Sequence, residues 1–556
     1  MAEEENLRMW GVLFRICGLP GRIHLANAKN NPLRYLVSMK PLLLFLFVVA
    51  CIVSYGDAGF SLAVTSQDVG QYVKGQGPMS YPTPAPTPRI NPDAYIPSRP
   101  AGRTMRVASP HQLADLIQQA QDDPNTTSVH IMGGGSIKRP VVLKKYTTFD
   151  NSTYSCDVTQ ENTIFRAPVT DYGCILVSDG VYVGGTYRPP QTVLDYFKSG
   201  DGRKPNDPYL LAIQALTAEQ LAGRGTTILE PTFANKSIPA VEVFQALGDS
   251  CCSHTGKAKN ITIQGFRIKG RQTLYDGGVR STILLGNCEH CAVMDVYLED
   301  TASIGITAGG SALSWKLPDG TVQKNNFARD IVFTRNIFSG VAAANSATIN
   351  TEDAYVFNNY VRRPGHHNPK FGGGVCGHDH ETNSPADHTK NINVYNNLYD
   401  YEDGHQQAAG NAICLQDPYV GANGGRVVAA NNVIIGGRND VKYRWMSNGL
   451  FLSGLKDCQI VNNYIFRTGQ NAIQIYNISN CLIQDNIFDS TGGGGNPTFW
   501  SKGMRDTIVR RNVYVKRNIA INMQAGFMDI CGERNQYMDN VIPSVVGPAP
   551  PTRKCP

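Results

Sequence analysis

Histidines, acids and bases are crowded into one part of this 556-residue chain. Six of its 11 histidines lie in the 40 residues from His366 to His405, and a cationic and aromatic cluster follows soon after. Imidazole and phenol groups transfer protons, and amines and guanidinium groups stabilise developing negative charge. This combination suits the removal of a proton next to a sugar carboxylate. The candidate catalytic residues are His378, His380, His405, Lys442, Tyr443 and Arg444.

Nearby polar and aromatic side chains provide the groups that hold a sugar chain, because amides and hydroxyls bond to sugar hydroxyls and flat rings pack on sugar faces. The predicted ligand is an acidic polysaccharide, acted on by a uronate lyase or C5-epimerase. The candidate substrate-binding residues are Gln416, Phe451, Ser453, Tyr476, Trp445 and Arg438.

Two other functions stay open on the same residues. A glycoside hydrolase needs two carboxylates across the scissile bond, and Asp379, Asp403 and Asp417 are the candidates. A non-catalytic glycan-binding protein, or a spike on a cell envelope or virion, needs neither a pair of carboxylates nor a catalytic base.

A metal hypothesis rests on His378 and His380, which are two residues apart. A strand would place both imidazoles on one face, as half of a site for a divalent cation, Ca²⁺ or Zn²⁺. Cys288 and Cys291 have zinc-type spacing too, but no second pair follows at the spacing of a zinc site. No other cofactor is indicated.

Charge argues against a nucleic-acid partner. The chain has 51 Lys and Arg against 45 Asp and Glu, a net charge of +6. This excess is small for the length, whereas nucleic-acid binders concentrate positive charge in one patch. We therefore expect no nucleic acid among the partners.

The elements that must position these side chains repeat along the chain. Eight segments consist of a short alternating apolar run, an asparagine and another apolar residue, with 23 to 38 residues between successive asparagines. Asparagine tolerates the left-handed backbone of a tight bend, and its side chain can bond to the next coil. The eight residues are Asn336, Asn359, Asn397, Asn432, Asn463, Asn486, Asn512 and Asn540.

These segments resemble the repeats of the right-handed parallel β-helix, or pectin-lyase-like, superfamily over residues 102–545. The resemblance implies an all-β solenoid in which each coil lies about 4.8 Å above the last. It implies little about function, since this architecture hosts lyases, epimerases, hydrolases and adhesins. The Asp-Pro-His-Asp motif of similar alginate epimerases is missing, and Asp417-Pro418 is only a fragment of it.

Side-chain alternation along strands predicts which residues face the groove. One apolar residue per coil is expected to stack inside, namely Val375, Ile413, Leu450 and Ile473. Insertions before and after these strands would wall the outer face. The outward residues are then Cys376, His378, His380, Cys414, Gln416, Phe451, Ser453, Gln474 and Tyr476.

A helix is predicted to cap the open N-terminal end of the solenoid, because unpaired strand edges need cover. Its apolar stripe is Leu113, Leu116, Ile117 and Ala120, and the first strand is expected at Ser128–Met132.

An uncharged apolar run, from Pro41 to Tyr55, precedes this body. With its flanks it is long enough to cross a bilayer, and the basic residues before it predict a cytoplasmic N-terminus and an exported C-terminal part. A cleaved signal peptide and a lipoprotein box at Val48–Cys51 are alternatives. The predicted organisation is a cytoplasmic segment at 1–34, a transmembrane anchor at 35–56, a Pro-rich linker at 57–101, the β-helix at 102–545 and a tail at 546–556.

Cysteine usage fits export. Twelve of the 14 cysteines follow the apolar run, and an even number in an exported body predicts disulfides, with the pairing left open. The predicted location is the membrane, with the large domain in the periplasm, outside the cell or on a virion surface. A spike would be a trimer, whereas a lyase would be a monomer.

Overall fold

Three long parallel sheets form the body of the protein in this computed structural model. The described residues are 86–158, 173–199, 207–231, 243–246, 258–270, 281–286, 288–301, 304–309, 315–316, 322–323, 328–341, 346–349, 351–362, 370–371, 390–400, 411–416, 426–436, 448–468, 470–489, 491, 497–515 and 524–540.

Sheet 1 has 14 strands, and each later strand lies beside the one from the coil before it. Its strands are β1 Arg103–Ala108, β2 Thr126–Met132, β5 Tyr146–Phe149, β8 Tyr182–Gly184, β11 Thr262–Gln264, β14 Glu289–Met294, β19 Ala328–Thr334, β22 Thr351–Phe357, β25 Lys390–Tyr395, β28 Val427–Ala430, β31 Gln459–Val461, β34 Leu482–Gln484, β37 Ile508–Arg510 and β40 Gln536–Met538.

Sheet 2 has 12 strands in the same stacking order. They are β3 Gly135–Ile137, β6 Thr153–Cys156, β9 Ile228–Pro231, β12 Arg267–Lys269, β15 Tyr297–Glu299, β20 Ile337–Ser339, β23 Tyr360–Arg362, β26 Leu398–Asp400, β29 Val433–Ile435, β32 Tyr464–Phe466, β35 Ile487–Asp489 and β38 Val513–Val515.

Sheet 3 also has 12 strands. They are β4 Val141–Leu143, β7 Ile175–Val177, β10 Phe244–Ala246, β13 Ser281–Leu284, β16 Ile304–Gly309, β21 Ser346–Ile349, β24 Lys370–Phe371, β27 Ile413–Gln416, β30 Leu450–Ser453, β33 Ile473–Tyr476, β36 Pro497–Lys502 and β39 Gln524–Ile530. An antiparallel pair, β17 Trp315–Lys316 and β18 Val322–Gln323, stands apart from the three sheets.

Each coil passes through sheets 1, 2 and 3 in turn, and neighbouring strands run parallel. The chain is therefore a parallel β-helix, as the asparagine repeat predicts. Its interior is one continuous column of buried apolar side chains from Val107 to Tyr514. A solenoid of this kind extends its core by adding coils, so the described body can be this long with one continuous core.

The eight predicted asparagines form one column, called here the long ladder, from Asn336 to Asn540 at the turn from sheet 1 to sheet 2. Each backbone N–H in the column donates to Oδ1 of the next asparagine at 2.9–3.1 Å. Side-chain Nδ2 groups donate upward and back, as when Asn463 bonds to Asn486 Oδ1 and to the Ala429 carbonyl.

The left-handed backbone at this turn belongs to a different residue from the predicted one. It lies one position earlier, where φ is between 52° and 57° at all eight turns. The ladder asparagines therefore serve hydrogen bonding, and their predecessors serve the bend. The predecessors are Arg335, Asn358, Asn396, Asn431, Asn462, Asp485, Arg511 and Asp539.

The N-terminal cap is confirmed as helix α1, Leu113–Asp122, which buries Leu113, Ile117 and Ala120 against the end of the core. The strand expected at Ser128–Met132 is present within β2, but it is not the first strand, because β1 precedes it and pairs with it. Only Val107 of the six residues in β1 is buried, so the alternation that identifies a strand is missing there.

Three further helices lie between β8 and β9 and pack on the outer face of sheet 2. Tyr187, just before them, stacks on Tyr297 with ring centroids 5.9 Å apart. This face is therefore covered. The helices are α2 Gln191–Lys198, α3 Pro208–Gln214 and α4 Ala218–Ala222.

The last part of the predicted linker packs on the body. A 3₁₀ helix at Pro92–Tyr95 places the Tyr95 ring on His290 with centroids 4.3 Å apart, and the Tyr95 hydroxyl donates to Asp330. Asp93 pairs with Arg335 at 3.5 Å. The predicted anchor at 35–56 lies outside the described residues. Within the described ranges, no helix has the length and apolar character needed to cross a membrane.

Disulfides are confirmed. The described bridges are Cys156–Cys174, Cys288–Cys291 and Cys458–Cys481, and the last one joins successive coils. Since Cys288 and Cys291 are bonded to each other, they are not half of a zinc site. Cys414 and Cys531 are disulfide-bonded as well.

Candidate functional site

The register of four adjacent strands of sheet 3, from β27 to β36, aligns two rows of residues. The register puts Cys414, Phe451, Gln474 and Trp500 side by side in one row. It puts Gln416, Ser453, Tyr476 and Lys502 in the other. We call Phe451, Ser453, Gln474, Tyr476, Trp500 and Lys502 the stripe.

The predicted register of these strands is confirmed from β27 to β33. Ile413, Leu450 and Ile473 are opposite one another and fully buried. Val375 lies outside the described residues, and the strand beside β27 in the preceding coil is β24, whose Lys370 lies opposite Cys414. An insertion joins these coils, and the sequence does not reveal which of its short runs forms the strand.

Three aromatic rings on successive coils alternate between the two rows of the stripe. Tyr476 lies 5.6 Å from Phe451 and 4.8 Å from Trp500 between ring centroids, with interplanar angles of 44° and 56°. Phe451 is 9% exposed beside the buried Cys414, whereas Tyr476 and Trp500 are partly exposed. Tilted, partly exposed rings offer apolar faces to a flat ligand.

Polar groups surround the rings. Gln474 Nε2 donates to the Tyr476 hydroxyl at 3.2 Å, and Asn448 Nδ2 donates to Gln474 Oε1 at 2.5 Å. Ser453 is partly exposed and Lys502 is exposed. Burial raises the pKa of the Tyr476 hydroxyl above its ordinary value, and the hydrogen bond from Gln474 partly offsets that rise.

Behind the stripe lies a second, three-residue column, called here the short ladder: Asn411, Asn448 and Asn471. These asparagines come two residues before the strands of sheet 3 and are buried. Asn448 Nδ2 donates to Asn411 Oδ1 at 2.9 Å, and the Asn471 backbone N–H donates to Asn448 Oδ1 at 3.2 Å. The short ladder therefore lies at the start of β27, β30 and β33, and the last two of these strands carry residues of the stripe.

The structure brings together three of the predicted binding residues, Phe451, Ser453 and Tyr476. Gln416 lies in the same row through its backbone in β27, and its side chain is outside the description. The other predicted site residues lie outside the described residues: His378, His380, His405, Arg438, Lys442, Tyr443, Arg444 and Trp445. So do the alternative carboxylates Asp379, Asp403 and Asp417.

Trp500 and Lys502 belong to the stripe and were missed from the sequence. A signal for them existed, because the long ladder advances 26 residues from Asn486 to Asn512. The same step from Gln474 and Tyr476 leads to Trp500 and Lys502, which the register confirms.

The six residues of the stripe hold aromatic, amide, hydroxyl and ammonium groups, with neither a carboxylate nor an imidazole among them. These groups can hydrogen-bond to a ligand and pack on its apolar faces. Among the residues that the structure describes, no three His, Cys, Asp or Glu side chains converge as a metal site would require. The predicted cation site at His378 and His380 is outside them.

No protein-family model and no curated protein matches this sequence. Among solved structures, a periplasmic alginate epimerase matches at 9% identity over 74% of this chain and 77% of its own, with a TM-score of 0.39. The family 28 exopolygalacturonase of Yersinia enterocolitica matches at 10% identity over 79% of each chain, with a TM-score of 0.37. The surface protein and adhesin PfbA of Streptococcus pneumoniae matches at 14% identity over 77% of this chain and 96% of its own, with a TM-score of 0.31.

Proposed function

We propose that this protein is an exported, membrane-anchored β-helix protein that binds an acidic polysaccharide along the stripe. The supporting observation is the register of Phe451, Tyr476 and Trp500 on successive coils, with amide, hydroxyl and ammonium groups between them. Strands about 4.8 Å apart repeat these groups along the helix axis. A polymer of sugar rings lying across the strands meets such a periodic surface.

The proposed reaction is removal of the proton beside the sugar carboxylate. In elimination, the C4–O bond then breaks and an unsaturated sugar forms; in epimerisation, a proton returns to the opposite face. Cations neutralise the carboxylate so that the carbanion-like transition state is stabilised. The candidates for these steps remain His378 and His380, on the predicted outer face of a strand, and His405, Lys442, Tyr443 and Arg444, on the predicted walls of the groove.

A non-catalytic glycan-binding protein is the second candidate. The composition of the stripe favours it. All six residues can contact a sugar, and only Tyr476 and Lys502 among them can transfer a proton. A trimeric spike would be one form of such a protein.

Export is supported by the buried bridges Cys156–Cys174 and Cys458–Cys481, since disulfides form in oxidising compartments. The membrane anchor at 35–56 is a separate part of the proposal, and it rests on the apolar run from Pro41 to Tyr55.

The test uses the full-length chain in detergent against alginate, pectate and hyaluronan, with dextran as a neutral polymer. We expect Trp500→Ala to weaken binding about three- to tenfold, because an aromatic contact contributes about 1 kcal/mol. Tyr209→Ala is the matched control, since Tyr209 is 45% exposed on α3, away from sheet 3. Absence of binding to every polymer would refute the proposal.

The reaction is read from the products. Unsaturated products that absorb ultraviolet light indicate elimination, and an altered uronate composition without chain cleavage indicates epimerisation. New reducing ends alone indicate glycoside hydrolysis. Binding with none of these products indicates the non-catalytic protein.

A further inference from the structure

A chain of hydrogen bonds leads from the short ladder to the surface at Tyr476, and its direction can be read from one end. The Asn471 backbone N–H donates to Asn448 Oδ1 at 3.2 Å. A backbone N–H can only donate, so this contact identifies which side-chain atom of Asn448 is the oxygen. The other atom is then Nδ2, which has two hydrogens to donate.

Those two hydrogens fix the next amide. Asn448 Nδ2 donates to Asn411 Oδ1 at 2.9 Å and to Gln474 Oε1 at 2.5 Å. With its oxygen facing Asn448, Gln474 directs Nε2 to the Tyr476 hydroxyl oxygen at 3.2 Å. The orientation of an amide is ordinarily inferred from its surroundings, and here a backbone donor determines it.

The consequence falls on the Tyr476 hydroxyl. Its oxygen accepts from Gln474, so its hydrogen is directed to a partner other than Gln474. Burial raises the pKa of this hydroxyl, so the hydrogen stays in place at neutral pH. Ser453 and Lys502 lie on either side of Tyr476 in the same row, on strands about 4.8 Å away. An ammonium group only donates, and a serine hydroxyl donates or accepts.

We propose that Ser453, Tyr476 and Lys502 form a row of hydrogen-bond donors that binds the carboxylate of a uronic-acid ring packed on the stripe. A carboxylate accepts several hydrogen bonds and donates none, whereas a sugar hydroxyl does both. The row therefore favours an acidic polysaccharide over a neutral one. Gln474 acts as a positioning residue, because it turns the tyrosine hydrogen toward the ligand. This inference rests on the proposed function and specifies the ligand group that the stripe recognises.

The test compares each of alginate, pectate and hyaluronan with the same polymer after methyl esterification of its carboxylates. We expect the full-length chain to bind at least one acidic polymer about tenfold more tightly than its ester, as charged hydrogen bonds contribute about 1.5–3 kcal/mol. Tyr476→Phe keeps the ring and removes the donor, so it should reduce this preference without changing affinity for the ester. Lys502→Ala should act likewise, whereas Lys198→Ala, which removes an exposed lysine on α2 over sheet 2, should not.

Gln474→Glu tests the positioning role. Glutamate at 474 cannot donate to Tyr476, so the tyrosine hydroxyl turns inward to it and the ligand loses a donor. The new charge also repels a carboxylate of the ligand. This repulsion alone is measured as the effect of Gln474→Glu in the Tyr476→Phe variant, which has no tyrosine hydroxyl to reorient. We expect Gln474→Glu to reduce affinity for the acidic polymer more in the wild type than in the Tyr476→Phe variant.

The following results would overturn the inference, the proposed function or both. Equal binding of acid and ester by the wild type overturns the inference and leaves glycan binding intact. Equal weakening of acid and ester by Tyr476→Phe overturns it too, as does an identical effect of Gln474→Glu in both backgrounds. Failure to bind either form of any polymer removes the proposed function and the inference with it.

Discussion

The molecule uses two asparagine ladders for different purposes. In the long ladder, Asn463 accepts from the Asn432 backbone and donates to Asn486 and to a carbonyl, so its polar atoms all meet other interior groups. In the short ladder, Asn448 accepts from the Asn471 backbone but donates one of its hydrogens to Gln474 on the outer face.

The difference shows how one residue type stabilises a coil in one place and orients a surface group in another. A buried amide whose partners are all buried contributes stability alone, because losing it leaves unpaired polar groups. A buried amide with one partner at the surface also determines the direction of that partner's remaining hydrogen bonds. The two ladders should therefore respond differently to the same substitution.

The largest expected effect is on the long ladder. Asn463→Ala leaves the Asn432 N–H and Nδ2 and the Ala429 carbonyl without their partner, and should lower the free energy of unfolding by about 3 kcal/mol. The check is the urea midpoint of the full-length chain, followed by circular dichroism. Variant protein that remains folded should bind glycan as the wild type does. A loss below about 1 kcal/mol would contradict a closed interior column.

A smaller loss of stability is expected for Asn448→Ala, about 1–2 kcal/mol, because part of its hydrogen bonding is to the partly exposed Gln474. Unlike Asn463→Ala, this variant should also lose its preference for acidic over esterified polymer, since Gln474 is released to turn over. The check is to titrate both folded variants with the acidic polymer and with its ester, and to compare their preferences. Unchanged preference in Asn448→Ala would show that the short ladder serves stability alone.

The next effect separates neighbours within the long ladder. Asn462 has φ 52° and makes the bend, while Asn463 makes the interior bonds. Ala at 462 should be less stable than Gly by about 1 kcal/mol, because a Cβ is strained in left-handed backbone. At 463 Gly should be no better than Ala. Urea midpoints of the four variants test this, and a Gly advantage at both positions would refute the division of roles.

The sequence revealed the long ladder because one asparagine recurs in each coil, and a buried asparagine side chain needs hydrogen-bond partners. It assigned the bend to Asn463 rather than Asn462, since both tolerate left-handed backbone and only the fold separates them. The register from Ile413 to Ile473 followed from alternation, whereas β24 was not predicted, because an insertion hides the strand.

Other features depend on contacts between coils, which sequence spacing alone does not give. The bond from Asn448 to Gln474 joins residues of neighbouring coils and needs their side-chain directions. Similarly, a Pro-rich composition indicates that the segment before the body forms no regular strand, but not that Tyr95 packs on His290. The candidate catalytic residues His378 and Lys442 remain predictions, because they lie outside the described residues.

The smallest effect concerns the end of the hydrogen-bond chain from the short ladder. Burial raises the pKa of Tyr476 above its ordinary value of about 10. Below about pH 10 this hydroxyl is protonated in both the folded and the unfolded chain, and its contribution to stability is constant. As pH rises further the unfolded chain ionises first, so stability is lost progressively toward the folded pKa.

This loss can be isolated by comparing the wild type with Tyr476→Phe, because the other 24 of the 25 tyrosines cancel in the difference. The difference in urea midpoint should be constant from pH 7 to about 9.5 and then shift against the wild type. The corresponding difference for Asn463→Ala should stay level, since no titrating group changes in the long ladder. A level difference for Tyr476→Phe as well would mean that the folded chain ionises this hydroxyl as readily as the unfolded chain does. In that case burial does not retain the tyrosine hydrogen. The two ladders would then differ in the hydrogen bonds of their amide groups but not in any effect on the ionisation of Tyr476.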